Sequence, residues 1–116
     1  MKTLNLSDVL RNIRWAVVGG VATRSYMPER ATLDLDILVH TRDSHTVAEA
    51  LKNAGFEYQN KLFIGGSTWK SHDGRSLDVI ENDDAWVEEA LFSLDTDPGG
   101  LPVLRLPYLV LMKFQA

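Results

Sequence analysis

The sequence predicts one α/β or α+β domain of two layers with a mixed sheet. Three observations carry this. The chain has 116 residues, about one domain by length. It is 45% hydrophobic and 24% charged, a balance that suits a globular core and not a disordered chain. Short apolar runs broken by Gly and Asp alternate with segments of helical spacing, first singly and then as a run of strands.

The elements follow in order. Ser7 is a suitable N-cap, and Val9, Leu10 and Ile13 recur at helical spacing, so 7–14 reads as a helix. Trp15-Ala16-Val17-Val18 stopped by Gly19-Gly20 reads as a buried strand entering a tight turn. A short helix is expected over 21–26, ending near Pro28, then a strand over 33–40. Ser44 is the expected N-cap of a helix carrying Val47, Ala48, Ala50, Leu51 and Ala54, with Gly55 as its stop. Strands are expected over 56–64 and 68–72, joined through Gly65-Gly66. Asp73-Gly74 signals a hairpin into a strand over 76–80. Asp83 or Asp84 caps a helix through Leu91, Pro98-Gly99-Gly100 is a loop, 101–106 reads as an edge strand, and Pro107 opens a last helix.

Composition excludes several functions. There is no cysteine, so disulfides, thiolate metal sites and a cysteine nucleophile are ruled out. The net charge is -4, which argues against a broad phosphate-tracking surface while leaving room for a local basic patch. No apolar run approaches the roughly 20 residues of a membrane span, and residues 1–6 lack the apolar stretch of a signal peptide. A cytoplasmic protein with no membrane partner is the expectation. His40, His45 and His72 lack zinc-ligand spacing and read as surface residues. Trp15, Trp69 and Trp86 are too scattered for a base-stacking platform and read as core or interface residues.

The informative feature is Asp34-Leu35-Asp36. Residues two apart on a strand share a face, so both carboxylates stand together while Leu33, Leu35 and Ile37 turn to the core. Two like charges this close repel unless a cation lies between them, and a hard divalent ion such as Mg²⁺ suits carboxylate oxygens. Asp78, in the strand over 76–80, is a third candidate. If its strand lies beside the first, three carboxylates converge, as in sites for in-line displacement at phosphorus. Gly19-Gly20 would expose backbone N–H groups to phosphate oxygens, and Arg30 and Thr32 precede the acidic strand with a guanidinium and a hydroxyl. Each has a plainer reading beside this one. Asp34 and Asp36 can be surface positions of a half-exposed strand, Asp78 a turn or edge residue near its hairpin, the glycines a turn, and Arg30 a brace for its loop.

Gly19-Gly20, residues 21–33 and then Asp34-x-Asp36 resemble the signature of the DNA polymerase beta-type nucleotidyltransferase superfamily. Arg30-x-Thr32-x-Asp34-x-Asp36 is similar to the minimal bacterial members, including toxins of type IV toxin–antitoxin systems. The resemblance implies a nucleotidyltransferase-like mixed sheet with helices mainly on one face. It implies transfer of a nucleoside monophosphate from an NTP, with ATP the leading choice, to a hydroxyl acceptor, with pyrophosphate leaving. It places Gly19 and Gly20 at the phosphates, Asp34, Asp36 and Asp78 on Mg²⁺ or Mn²⁺, and Lys113 on the family's lysine-bearing last helix. Lys113 also reads as a residue of a solvated helix face. Position 20 is Gly where many members have Ser.

The single domain, 1–116, ends inside an apparent helix, which suggests that an acceptor-binding extension is missing or supplied by another subunit. The acceptor is open among protein, RNA and small molecule. The alternative is a catalytically incomplete module of the same fold that binds nucleotide or a partner protein. Leu109, Val110, Met112 and Phe114 make the last helix apolar around much of its circumference, pointing to core packing and a homodimer contact.

Overall fold

The computed structural model describes residues 6–18, 34–96 and 99–115, the side chains of 34 and 113–115 excepted. The expected helix over 21–26 lies outside them. The described strands form one seven-stranded mixed sheet in the order β3-β4-β5-β2-β1-β7-β6. They are β1 (Trp15–Val18), β2 (Asp34–His40), β3 (Glu57–Lys61), β4 (Gly66–Lys70), β5 (Ser76–Asn82), β6 (Asp95–Thr96) and β7 (Pro102–Val103). The helices are α1 (Leu6–Val9), α2 (Ser44–Asn53), α3 (Ala85–Phe92) and α4 (Leu106–Gln115).

The four residues of β1 are all buried. A strand with one wet face alternates; a strand covered on both does not. Trp15 and Val17 join Ile37, Val39, Leu77, Val79 and Trp69 in one core with Val47 and Leu51 of α2. Ala16 and Val18 join Leu38 in a second core with Val87, Ala90 and Leu91 of α3, against which Tyr108, Leu109 and Met112 of α4 also pack. The expectations of two layers and of helices mainly on one face are therefore corrected: α1 and α2 cover one face of the sheet, α3 and α4 the other, so the sheet is the middle of three layers.

Several boundaries also move. The first helix is one turn, Leu6–Val9, because the chain turns at Leu10 and Ile13 to enter β1. Ser44 is the first residue of α2 and not its cap. A 3-10 turn (Thr41–Asp43) precedes it, and the Ser44 hydroxyl donates instead to Glu81 Oε2 at 2.7 Å. The far end of α2 is as expected. Gly55 takes φ +93°, the Phe56 N–H reaches the Leu51 carbonyl and the Gly55 N–H that of Lys52, a Schellman closure in which Phe56 also enters the core. Asp84 stands at the N-cap of α3, its side chain making no capping bond.

The expected strand over 56–64 shortens to β3, because Phe56 completes the helix stop and residues 62–65 turn. That over 68–72 begins two residues earlier, at Gly66. The expected edge strand over 101–106 is reduced to β7 and is internal, between β1 and β6, which forms the edge instead. In the β4–β5 turn the Ser71 hydroxyl donates to the Asp73 carboxylate. With the Arg75 guanidinium 3.4 Å away, that bond holds the Asp73 carboxyl below its usual range.

Trp86 of α3 stacks on Tyr108 of α4, ring centroids 6.1 Å apart and 12° from parallel. Its indole N–H is buried and has no hydrogen-bond partner among the described residues. An unsatisfied buried donor costs about 1–3 kcal/mol. Trp86→Phe removes that cost along with part of the ring, so it is expected to change unfolding free energy by less than about 1 kcal/mol in a urea titration. Truncation to Ala should cost about 3–5 kcal/mol. Equal losses in the two variants would contradict this account.

Candidate active site

The acids meet through strand pairing. β2 and β5 run parallel, with Asp36 in register with Asp78 and Asp34 with Ser76. Antiparallel β4 sets Thr68 opposite Asp78, and antiparallel β1 sets Val18 opposite Asp36. Thr68, Asp78, Asp36 and Val18 thus form one row across four adjacent strands. Neighbouring strands lie about 4.8 Å apart, so registered side chains on one face are near neighbours.

Alternation decides the face. Leu35, Ile37, Leu77 and Val79 belong with the core under α2. Asp36 and Asp78 therefore turn to the side of α3 and α4, as Leu38 and Ile80 do two residues further on. The apolar cover on this face takes in Val18, the register partner of Asp36, and Leu38 and Ile80, two residues beyond the acids. Asp36 and Asp78 are both half-buried. The Thr68 hydroxyl donates to Asp78 Oδ1 at 2.7 Å.

The other expected site residues are distributed as follows. Asp34 belongs to the backbone of β2, with its side chain outside the described residues. Gly19, Gly20, Arg30 and Thr32 lie outside them as well. Val18, immediately before Gly19, is the register partner of Asp36, so β1 delivers the chain beside the acids. Lys113 lies in α4, its side chain again outside the described residues. α4 packs through Tyr108, Leu109 and Met112 on the same face of the sheet as Asp36 and Asp78.

Among the described residues no group of three or more His, Cys, Asp or Glu is placed to hold a metal ion. The expected set of three includes Asp34, whose side chain lies outside the described residues. Trp15 and Trp69 are core residues, as expected. His45 and His72 are exposed, while His40 is half-buried and its Nδ1 accepts the Arg42 N–H. A groove of about 620 Å³, lined in part by Val47, Lys52, Tyr58, Trp69 and Glu81, opens on the α2 side of the sheet, away from the acids.

Sequence reasoning missed Thr68. Its only trace was a hydroxyl residue in a strand that pairs with the strand of Asp78. No helix among the described residues is long and apolar enough to cross a membrane. Compared with known proteins, the chain matches no family model and no curated protein.

Proposed function

We propose that this chain is a metal-dependent nucleotidyltransferase, moving a nucleoside monophosphate from an NTP, with ATP the leading choice, to a hydroxyl acceptor. The observation that carries the reading is the parallel register of β2 and β5. It sets Asp78 beside Asp36 of the Asp-x-Asp strand, on the sheet face shared with α4. That adjacency was the condition under which the third acid joins the pair.

The donor set suits Mg²⁺ or Mn²⁺, because carboxylate oxygens are the ligands hard divalent ions prefer. Asp34, Asp36 and Asp78 would hold the ions, which when bound supply charge neutralisation and a lower pKa for the acceptor hydroxyl. The Gly19 and Gly20 N–H groups bind the β- and γ-phosphates, helped by the Thr32 hydroxyl and by positive charge from Arg30 or Lys113. Asp78 accepts the proton of the acceptor hydroxyl. The acceptor oxygen bonds to the α-phosphorus as the bond to the bridging oxygen breaks, and pyrophosphate leaves.

The test is incubation with each α-labelled NTP, Mg²⁺ or Mn²⁺, and protein, RNA and aminoglycoside acceptors. Label transfer with stoichiometric pyrophosphate is the expected result.

A second reading is a catalytically incomplete module that binds nucleotide and works through a partner or a second copy. The observation in its favour is α4, where Leu106, Val110 and Leu111 are exposed while Tyr108, Leu109 and Met112 pack inward. Nucleotide binding with neither transfer nor pyrophosphate release would select it.

A further inference from the structure

We infer that Thr68 is a positioning residue for the Asp78 carboxylate, so that β4 is part of the site. The inference rests on the functional reading of Asp36 and Asp78 above and extends it to a strand that the sequence motif does not include.

The Thr68 hydroxyl lies 2.7 Å from Asp78 Oδ1. An ionised carboxylate only accepts, so the hydroxyl must donate. The bond occupies one oxygen of Asp78, Oδ1, and limits rotation of the carboxylate. Asp36, one strand over, is in register on one side. Thr68 approaches from the opposite side, on β4. Asp78 is therefore held between a donor and the second acid, the arrangement by which an outer partner orients a metal ligand.

The backbone keeps the donor in place. Gly66 begins β4 so close to β5 that a Cβ there would lie 1.9 Å from the Val79 carbonyl oxygen. That close approach belongs to the register that pairs Gly66 with Ile80 and Thr68 with Asp78. A slip by one residue would carry the Thr68 side chain to the other face.

The test is a double-mutant cycle read by Mn²⁺ titration calorimetry on the full chain, with metal-free melting as control. Thr68→Val keeps the shape and strand preference of threonine and removes the hydroxyl. Thr68→Val is expected to weaken Mn²⁺ binding about tenfold, Thr68→Ser to retain it, and the melting midpoints to stay close. In an Asp78→Asn background Thr68→Val should have no further effect. If Thr68→Val lowers the metal-free midpoint, Thr68→Ala takes its place in the same cycle. Full Mn²⁺ affinity in the hydroxyl-free variants, where Asp78→Asn weakens it, overturns the role of Thr68 and leaves the reading of the acids standing. The same loss with and without the Asp78 carboxylate also overturns it. Unchanged affinity in both Asp36→Asn and Asp78→Asn overturns the reading of the acids itself.

Discussion

Asp36→Asn is expected to weaken Mg²⁺-dependent ATP binding by about 100-fold or more, and Asp78→Asn to do the same. The substitution keeps the shape of the side chain and removes its charge. If the two acids were only half-buried surface residues of neighbouring strands, losing one charge would ease their repulsion and leave nucleotide binding untouched. If they hold metal against a triphosphate, the same change removes a ligand that an amide replaces poorly. The register of Asp36 with Asp78 is set by backbone hydrogen bonds along β2 and β5, so the strands pair without the charge. Calorimetric titration with ATP and Mg²⁺ separates the two cases when run beside a melt of the metal-free protein. The pair Asp34→Asn with Asp36→Asn should abolish binding. A folded double variant that binds as the parent does would remove the metal assignment.

Gly66→Ala is expected to be the most damaging small substitution in the described residues, costing about 3 kcal/mol or more in a urea titration. Two causes add. Gly66 has φ +120°, a region that L residues rarely enter. An added Cβ would also meet the Val79 carbonyl oxygen at 1.9 Å and the Ile80 Cα at 3.1 Å, both backbone atoms of a central strand. Neither can swing aside as a side chain would. Gly74→Ala is the control. Its φ is +89°, but beyond its chain neighbours no atom of the described residues lies within 4 Å of the added carbon. That variant should show the conformational cost alone, about 1–2 kcal/mol. Equal losses at the two positions would mean that β4 does not approach β5 closely enough for the Val79 carbonyl to bar a Cβ at Gly66. Since the same register sets Thr68 beside Asp78, Gly66→Ala should also reduce metal binding in any fraction that remains folded.

These two results probe parts of the molecule that differed in how well the sequence showed them. The acids were visible because Asp-x-Asp inside an apolar, β-branched run is a local pattern, and period-two alternation follows from strand geometry alone. Leu35 and Ile37 are in the core as that alternation requires. Thr68 was not visible. A two-residue turn at Asp73-Gly74 would set Asp78 opposite Trp69 and turn Thr68 away. The actual turn runs from Ser71 to Arg75, closed by the Ser71 N–H on the Arg75 carbonyl, and sets Asp78 opposite Thr68. One residue of loop length decides which side chain meets the carboxylate. Gly65-Gly66 read as a plain turn; Gly66 proves to be the first residue of a strand in close contact with its neighbour.

By itself the sequence determined what rests on neighbouring residues: β1 at Trp15–Val18, nearly all of β2, the stop of α2 at Gly55, and the alternation that separates acids from core in β2 and β5. Only the tertiary structure decided the rest. β7 is internal and helices cover both faces, because Ala16, Val18 and Leu38 need a second apolar layer that no local pattern identifies. Asp36 and Asp78 became neighbours through parallel pairing of strands that are separated in the chain by α2, β3 and β4. Such pairing is set by how the intervening elements pack, since hydrophobic burial follows the area removed from water and not the distance along the chain.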